Sequence, residues 1–182
     1  MSLTGGFTNA PHQSAYAFRA ALNALSRPGM IETLTGATPP APMSVAAGVL
    51  ILTLCDRTTP LHLVGAHDCA ALRDWVTFHT GAPLVEAEAA SFALGQWQDL
   101  SVDHYAIGTA EYPDRAATLI VEMPALTATG ARLTGPGIEV SARLSLPQGF
   151  RNRADFPLGL DCFLTCGDRI AALPRSTKIE VI

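Results

Sequence analysis

Charge is what this chain has least of. Asp, Glu, Lys and Arg make up 15% of its 182 residues, against about 25% in an ordinary soluble domain. So few charges suit a chain that hides much of its surface, in a core or against partners. Lysine is almost missing: of the 12 basic residues, 11 are Arg and the remaining one is Lys178. A pyridoxal phosphate enzyme needs a lysine for its Schiff base. Lys178 falls in a predicted terminal strand, so neither that cofactor nor any other is expected. No run of basic residues exists and the net charge is −4, which leaves nucleic acid no electrostatic footprint. The longest apolar run, Val45 to Cys55, is too short to cross a bilayer. The polar stretch Met1 to Gln13 lacks the apolar region of a signal peptide. Four cysteines (Cys55, Cys69, Cys162 and Cys166) fall below disulfide-scaffold density and read as the reduced thiols of a cytoplasmic protein.

Motifs of familiar chemistry are missing too. There is no G-x-G-x-x-G, Walker pattern or G-x-S-x-G elbow. The Gly-rich turn Leu133-Thr134-Gly135-Pro136-Gly137-Ile138 could cradle an anion on its N–H groups. Pro136 removes a donor at its centre, so a strand-to-strand turn is the simpler reading. Cys162 and Cys166 stand four apart on a predicted strand, unlike a zinc knuckle, and His62, His67 and Cys69 fall on different elements; no metal is expected.

Apolar residues supply 48% of the chain, and their spacing predicts elements. Tyr16, Phe18, Leu22 and Leu25 mark an amphipathic helix over 14–26, stopped by Arg27-Pro28-Gly29. A short strand over 31–34 follows. Ser44 caps a buried helix over 45–55. Leu61 to Val64 reads as a strand, and His67-Asp68 opens a helix that runs to about Phe78 and ends at Gly81-Ala82-Pro83. No period wins over 91–107. Strands are predicted over 118–123, 132–134, 138–144, 160–166, 169–173 and 178–182, with Gly167-Asp168 as a tight hairpin turn. Helices first and strands later, with no linker composition between, predict a single α/β domain over 1–182 whose mixed β-sheet has helices packed on it. Phe156 and Leu158 read as core residues, and Asp161 as a carboxylate held by an Arg or by backbone N–H groups.

Several short segments resemble the PhnH family in order along the chain. They are Phe18-Arg19 with Ser26-Arg27-Pro28-Gly29; Leu52-Thr53-Leu54-Cys55-Asp56 before Thr59-Pro60; Phe78-His79-Thr80-Gly81-Ala82-Pro83-Leu84; Gly108-Thr109 with Pro113; Ala117-Thr118-Leu119; the turn 133–138; and the C-terminal set Phe156-Pro157-Leu158-Gly159-Leu160-Asp161, Leu164 to Arg169 and Ala172 to Thr177. The stretch Glu139 to Asp155 departs from the family by looking shorter, where the family carries a helix before F-P-L-G. The resemblance implies a fold similar to the large domain of pyridoxal phosphate-dependent transferases, without the cofactor. It implies a subunit of the bacterial carbon–phosphorus lyase core complex of phosphonate metabolism, whose partners are the other core subunits. That complex transfers methylphosphonate to the ribose of ATP, giving ribose 1-methylphosphonate 5-triphosphate, before a lyase step breaks the C–P bond. The expected role is a non-catalytic or site-completing subunit of this transferase, a homodimer when isolated, with no catalytic residue of its own. The alternative is a subunit with its own ATP or phosphonate site. For either, the ligand- or partner-binding candidates are Arg27, His79, Thr80 and Arg175, polar groups at element ends where loops carry function.

Overall fold

A computed structural model describes residues 3–180. The first helix, α1, spans Ala10–Ser26 and starts four residues before the predicted one, with Pro11 in its first turn, where a missing N–H costs nothing. A two-residue strand, β1 (Glu32–Thr33), follows. Then comes α2 (Val45–Leu54), apolar on every side, as a helix buried all round must be. The Ser44 side chain caps it, accepting from the Ala47 N–H at 3.1 Å. Strand β2 is Leu61–Leu63. The expected helix opening at His67-Asp68 is corrected: Gly65–His67 make one 3-10 turn, and α3 spans Ala70–Thr80 with Cys69 as its N-cap residue. Gly81 closes α3 in the left-handed conformation, φ 68°.

Strand β3 (Phe92–Gly95) lies in the stretch where no period had won, and β4 (Thr118–Glu122), β5 (Ala131–Thr134) and β6 (Ala142–Leu144) follow. β7 (Asp161–Cys166) and β8 (Arg169–Leu173) form the predicted hairpin, with Cys166 paired to Arg169 across Gly167-Asp168 and Gly167 at φ 60°. β9 (Lys178–Glu180) ends the described chain; residues 181 and 182 of the predicted strand lie outside it. The strand expected over 138–144 shrinks to β6, with Val140 76% exposed. No helix falls between Glu139 and Asp155.

The large sheet has the order β1-β8-β7-β4-β3-β2. β2, β3, β4 and β7 run parallel, β8 is antiparallel to β7, and β1 is antiparallel to β8. A smaller antiparallel sheet joins β6, β5 and β9. Successive residues of a strand face opposite sides, and the core divides accordingly. Leu94, Ile120, Phe163, Ile170 and Ala172 pack with all three helices. Ala93, Leu119, Val121, Cys162, Leu164 and Leu173 pack with Leu133 and Leu144 of the small sheet and with loop residues such as Tyr105 and Leu126. The mixed α/β sheet with packed helices is therefore as expected, with the helices confined to one face.

The face of α1 differs from the expected one. Its buried stripe is Ala17, Ala21 and Ala24, while Tyr16, Phe18 and Leu22 are 73%, 54% and 54% exposed. Alanines let α1 lie close on α2 and β8, and the larger side chains do not fit between. Phe156 is corrected too: its ring is 67% exposed, not in the core.

Candidate functional site

Strand direction gives the large sheet two unlike ends. At the amino end of the parallel strands, β7 begins at Asp161 and β8 finishes just before Pro174-Arg175. The Arg175 backbone N–H donates to Asp161 Oδ1 at 2.8 Å. Its guanidinium donates to the same carboxylate through Nε at 3.1 Å and Nη2 at 2.6 Å, and through Nη1 to the carbonyl of Pro113. Both readings of Asp161, an Arg partner and a backbone N–H partner, are thus realised by one residue. The pair is half-buried, with side chains 13% and 26% exposed, so its bidentate geometry is locked more firmly than a surface pair would be.

Arg175 lines an open cleft of about 400 Å³ together with Asn152, Arg153, Phe156, Ser176, Thr177 and Lys178. Arg153 donates to the carbonyl of Tyr105 and lies 3.9 Å from Asp103. Asn152 donates to the Thr177 carbonyl at 3.4 Å. Thr177 is 2% exposed, and its Oγ1 is buried without a partner. A buried hydroxyl left unpaired is costly, and this one borders a cleft walled by three cations. Asp155 also lines the cleft, and Asp161 and Pro113 already engage the Arg175 fork, so an oxyanion there would meet Arg153, Lys178 and the N–H groups of Arg175 that the fold leaves unbound.

The other candidates end at this side of the sheet as well. α1 stops at Ser26 before β1, so Arg27 falls at the amino end, with its side chain exposed. The turn Gly135–Gly137 touches the chain neighbours of Arg27 and Arg175, Ser26 and Ser176. A side chain at Gly137, φ 81°, would collide with the Ser26 carbonyl, and one at Gly135 would lie 3.1 Å from the Ser176 carbonyl. Three family-like segments therefore meet at one glycine turn. His79 and Thr80 finish α3, which also runs towards this end but within the helical layer. The His79 ring packs on Trp75 at 4.8 Å and on Phe78 at 5.0 Å. Gly6 backs onto the ring, and Nε2 is buried without a partner. Thr80 Oγ1 donates to the Val76 carbonyl at 2.8 Å and accepts from the Ala82 N–H at 3.0 Å.

The carboxyl end carries groups that sequence reasoning passed over. Glu122 ends β4, and its carboxylate accepts from the Ser44 N–H at 2.7 Å and from Thr165 Oγ1 at 3.1 Å. Burial raises its pKa above the ordinary value, while the bonds from Ser44 and Thr165 oppose the rise. His67 Nε2 stands 3.9 Å from Glu122 Oε1, beyond hydrogen-bond reach, and both ring nitrogens are buried and unpaired. Burial lowers the His67 pKa, with Asp99 opposing. The signal was a carboxylate closing the apolar run Thr118 to Val121; read along one sequence, it looks like a solvent-facing strand end. Glu122 also lines a cleft of about 280 Å³ with Gln96, Trp97, Gln98, Met123 and Gln148.

Nucleophilic chemistry is poorly served. Burial pushes the Cys55 thiol up to about 12 and the Cys162 thiol well above its ordinary value, so both stay protonated at neutral pH. Among the described residues no group of three or more His, Cys, Asp or Glu could hold a metal ion, and no helix is long and apolar enough to cross a membrane.

Comparison with known proteins matches nearly the whole chain. The model of the family described as bacterial phosphonate metabolism protein (PhnH) matches residues 5–180. The chain is 39% identical over 191 aligned positions to the alpha-D-ribose 1-methylphosphonate 5-triphosphate synthase subunit PhnH of Rhizobium meliloti (strain 1021), covering 97% of this chain and 95% of that protein. It is 30% identical over 181 positions to the "Putative C-P lyase subunit protein HtxG" of Stutzerimonas stutzeri, covering 94% and 88%.

Proposed function

The chain belongs to the PhnH family of bacterial phosphonate metabolism proteins, and from that premise we propose that it is a subunit of a carbon–phosphorus lyase assembly. Its part there is in forming ribose 1-methylphosphonate 5-triphosphate from ATP and methylphosphonate, beside the other core subunits, in the cytoplasm. The observation that carries this reading is the match over nearly the whole length to a relative named as a subunit of that synthase. A subunit role also fits Cys55 and Cys162, whose buried thiols stay protonated, and Arg175, which is held by Asp161.

Within that role, residues 1–182 act as one domain, related to the large domain of pyridoxal phosphate-dependent transferases but built without the cofactor. The exposed position of Lys178 on β9 supports this. A two-fold dimer of the isolated chain is the companion proposal, supported by Tyr16, Phe18 and Leu22 standing exposed on α1. For a ligand or the other core subunits the candidates are the amino-end residues Arg27, His79, Thr80 and Arg175. A second reading gives the subunit its own small-molecule site, and the unpaired Thr177 hydroxyl in the Arg175 cleft favours it. There the phosphonate or triphosphate oxygens would take Arg153, Lys178 and the N–H groups of Arg175 left unbound by Asp161 and Pro113.

The test is complementation. A bacterium deleted for its own PhnH subunit and given methylphosphonate as sole phosphorus source should grow again when this chain is supplied. The chain should also co-purify with the other core subunits. Growth restored without co-purification would favour the small-molecule reading, and failure of both would overturn the assignment.

A further inference from the structure

Open α/β sheets usually take their ligands where neighbouring parallel strands end, often an anion against a helix N-terminus. Here that anion position is filled from within. The N–H groups at the start of α2 are taken by Glu122 (from Ser44), by the Gly167 carbonyl (from Ala46, 2.9 Å) and by the Ser44 hydroxyl (from Ala47). The cleft of about 280 Å³ lies where β3 and β4, paired in parallel, come to their ends. Gln96, Trp97 and Gln98 follow β3 directly. Glu122 closes β4, with Met123 and Pro124 after it, and Pro147 and Gln148 come from the loop after β6. Among the described residues the wall holds no Lys or Arg, and Glu122 is its charged group. A phosphate would meet a carboxylate there and nothing to neutralise it.

We propose that this cleft binds a purine base, its face on Trp97 and its edge on the glutamine amides. Trp97 is half-buried and lines the cleft. Phe150 stacks on it at 4.6 Å and lines the neighbouring cleft rather than this one, so the indole is held from outside. A base that stacks on a fixed ring gains about tenfold or more in affinity, with no need of charge. Gln98 Nε2 donates to Gln96 Oε1 at 3.1 Å, so each of these amides steadies the other. An amide carries two N–H donors and an oxygen with two lone pairs. After that bond Gln96 and Gln98 each still offer a donor and an acceptor. The Gln148 side chain offers both, with no partner among the described residues. A donor beside an acceptor is the pattern on the edge of a base, which lets one amide bind adenine through two bonds. An alkyl chain would bury the amides unpaired, at a cost. Size agrees: the cleft is close to the lower bound of small-molecule pockets, about 300 Å³, which suits a base with its sugar and phosphates left outside. The base can come free, or as part of a nucleoside or nucleotide.

The site is independent of the amino-end cleft and of the assembly role, so failure of either reading leaves the other standing. Its test is a titration of the full chain by calorimetry and by tryptophan fluorescence. The probes are adenine, adenosine, guanosine, ATP and GTP, with ribose and inorganic phosphate as controls. The chain has two tryptophans, and Trp75 is 0% exposed, so quenching on binding reports Trp97. The expected result is saturable binding of at least one nucleoside with quenching, and no competition from either control. In competition, ATP or GTP should displace its own nucleoside with no higher affinity, because nothing in the cleft receives the phosphates. Adenine binding as tightly as adenosine points to a free base; adenosine binding more tightly points to a nucleoside or nucleotide. Trp97→Leu should weaken binding about tenfold or more in calorimetry. Gln148→Ala changes an exposed side chain and leaves the fold intact; it should weaken binding about threefold or more. Four results would overturn the proposal: no saturable binding of adenine or of either nucleoside, undiminished binding by either variant, displacement by ribose, or a triphosphate that displaces its nucleoside with about tenfold higher affinity or more, a gain that only charge recognition would give.

Discussion

The two ends of the large sheet solve opposite electrostatic problems with similar parts. At the carboxyl end a glutamate is drawn in to satisfy the start of α2, and the cleft beside it is left with that acid as its charged group. At the amino end an aspartate is drawn in to satisfy an arginine, and the cleft beside it keeps Arg153, Arg175 and Lys178 against one carboxylate, Asp155. The lesson is that fold alone does not say where an anion sits. The end that usually receives one has closed its own helix N-terminus, and the positive groups have collected at the opposite end.

Substitutions at four positions probe that contrast. Arg175→Met should have the largest effect, destabilising by about 3 kcal/mol, because it leaves the half-buried Asp161 carboxylate and the Pro113 carbonyl without their donor. Denaturant titration measures it. Arg175→Lys should recover only part, since an ammonium cannot bridge both oxygens and the carbonyl. A loss below about 1 kcal/mol would mean that the pair is a surface ornament and that the two ends are less alike than described.

The carboxyl end should show itself in pH dependence. Burial holds Glu122 above its ordinary value of 4.5, so the native state keeps its proton after the unfolded chain has lost it. Stability therefore falls as pH rises from 4.5 to the raised value, and the deficit persists above it. His67 acts in the opposite sense: its pKa is lowered from 6.5, so stability falls as pH drops below 6.5. Glu122→Gln should remove the first limb and expose the second. The variant should gain on the parent between pH 4 and 7, as read from melting temperature across that range. Identical curves for the two proteins would place Glu122 in contact with solvent.

Thr177→Val replaces a buried, unpaired hydroxyl with a methyl of like shape. It should be neutral or stabilising by up to about 1 kcal/mol in the absence of ligand, while weakening any binding of methylphosphonate or pyrophosphate measured by calorimetry. A destabilised variant would show that the hydroxyl has a partner in solution. Phe156→Ala should have the smallest effect, within about 0.5 kcal/mol, because the ring is exposed. Impaired co-purification with partner subunits at unchanged stability would make Phe156 a docking residue at the mouth of the amino-end cleft.

Much of the scaffold was legible because burial on both faces writes continuous apolar runs. Thr118 to Val121, Leu160 to Cys166 and the Gly167-Asp168 turn between β7 and β8 could be read directly. α2 was legible for the same reason, and Ser44 announced its start. α1 was legible as a helix, but its face was not, since alanine carries little hydrophobic signal while packing closest. Phe156 misled by size alone. Of the site, Arg175 is legible as a candidate and Asp161 as a carboxylate held by an Arg or by backbone N–H groups, while their pairing follows from the register of β7 and β8. Glu122 and His67 could not, because their meaning depends on α2 arriving from 78 positions away to put Ser44 on the carboxylate.

The outermost strands of the large sheet are β1 and β2, with two and three residues. A second copy seeking to extend the sheet would find a backbone hydrogen-bonding row only a few groups long at either margin, too short to template continued addition. For a chain so poor in repelling charge, that brevity is protection against fibre-like growth. It also means that association has to proceed side chain to side chain, through surfaces such as the exposed face of α1, and can stop at a closed assembly.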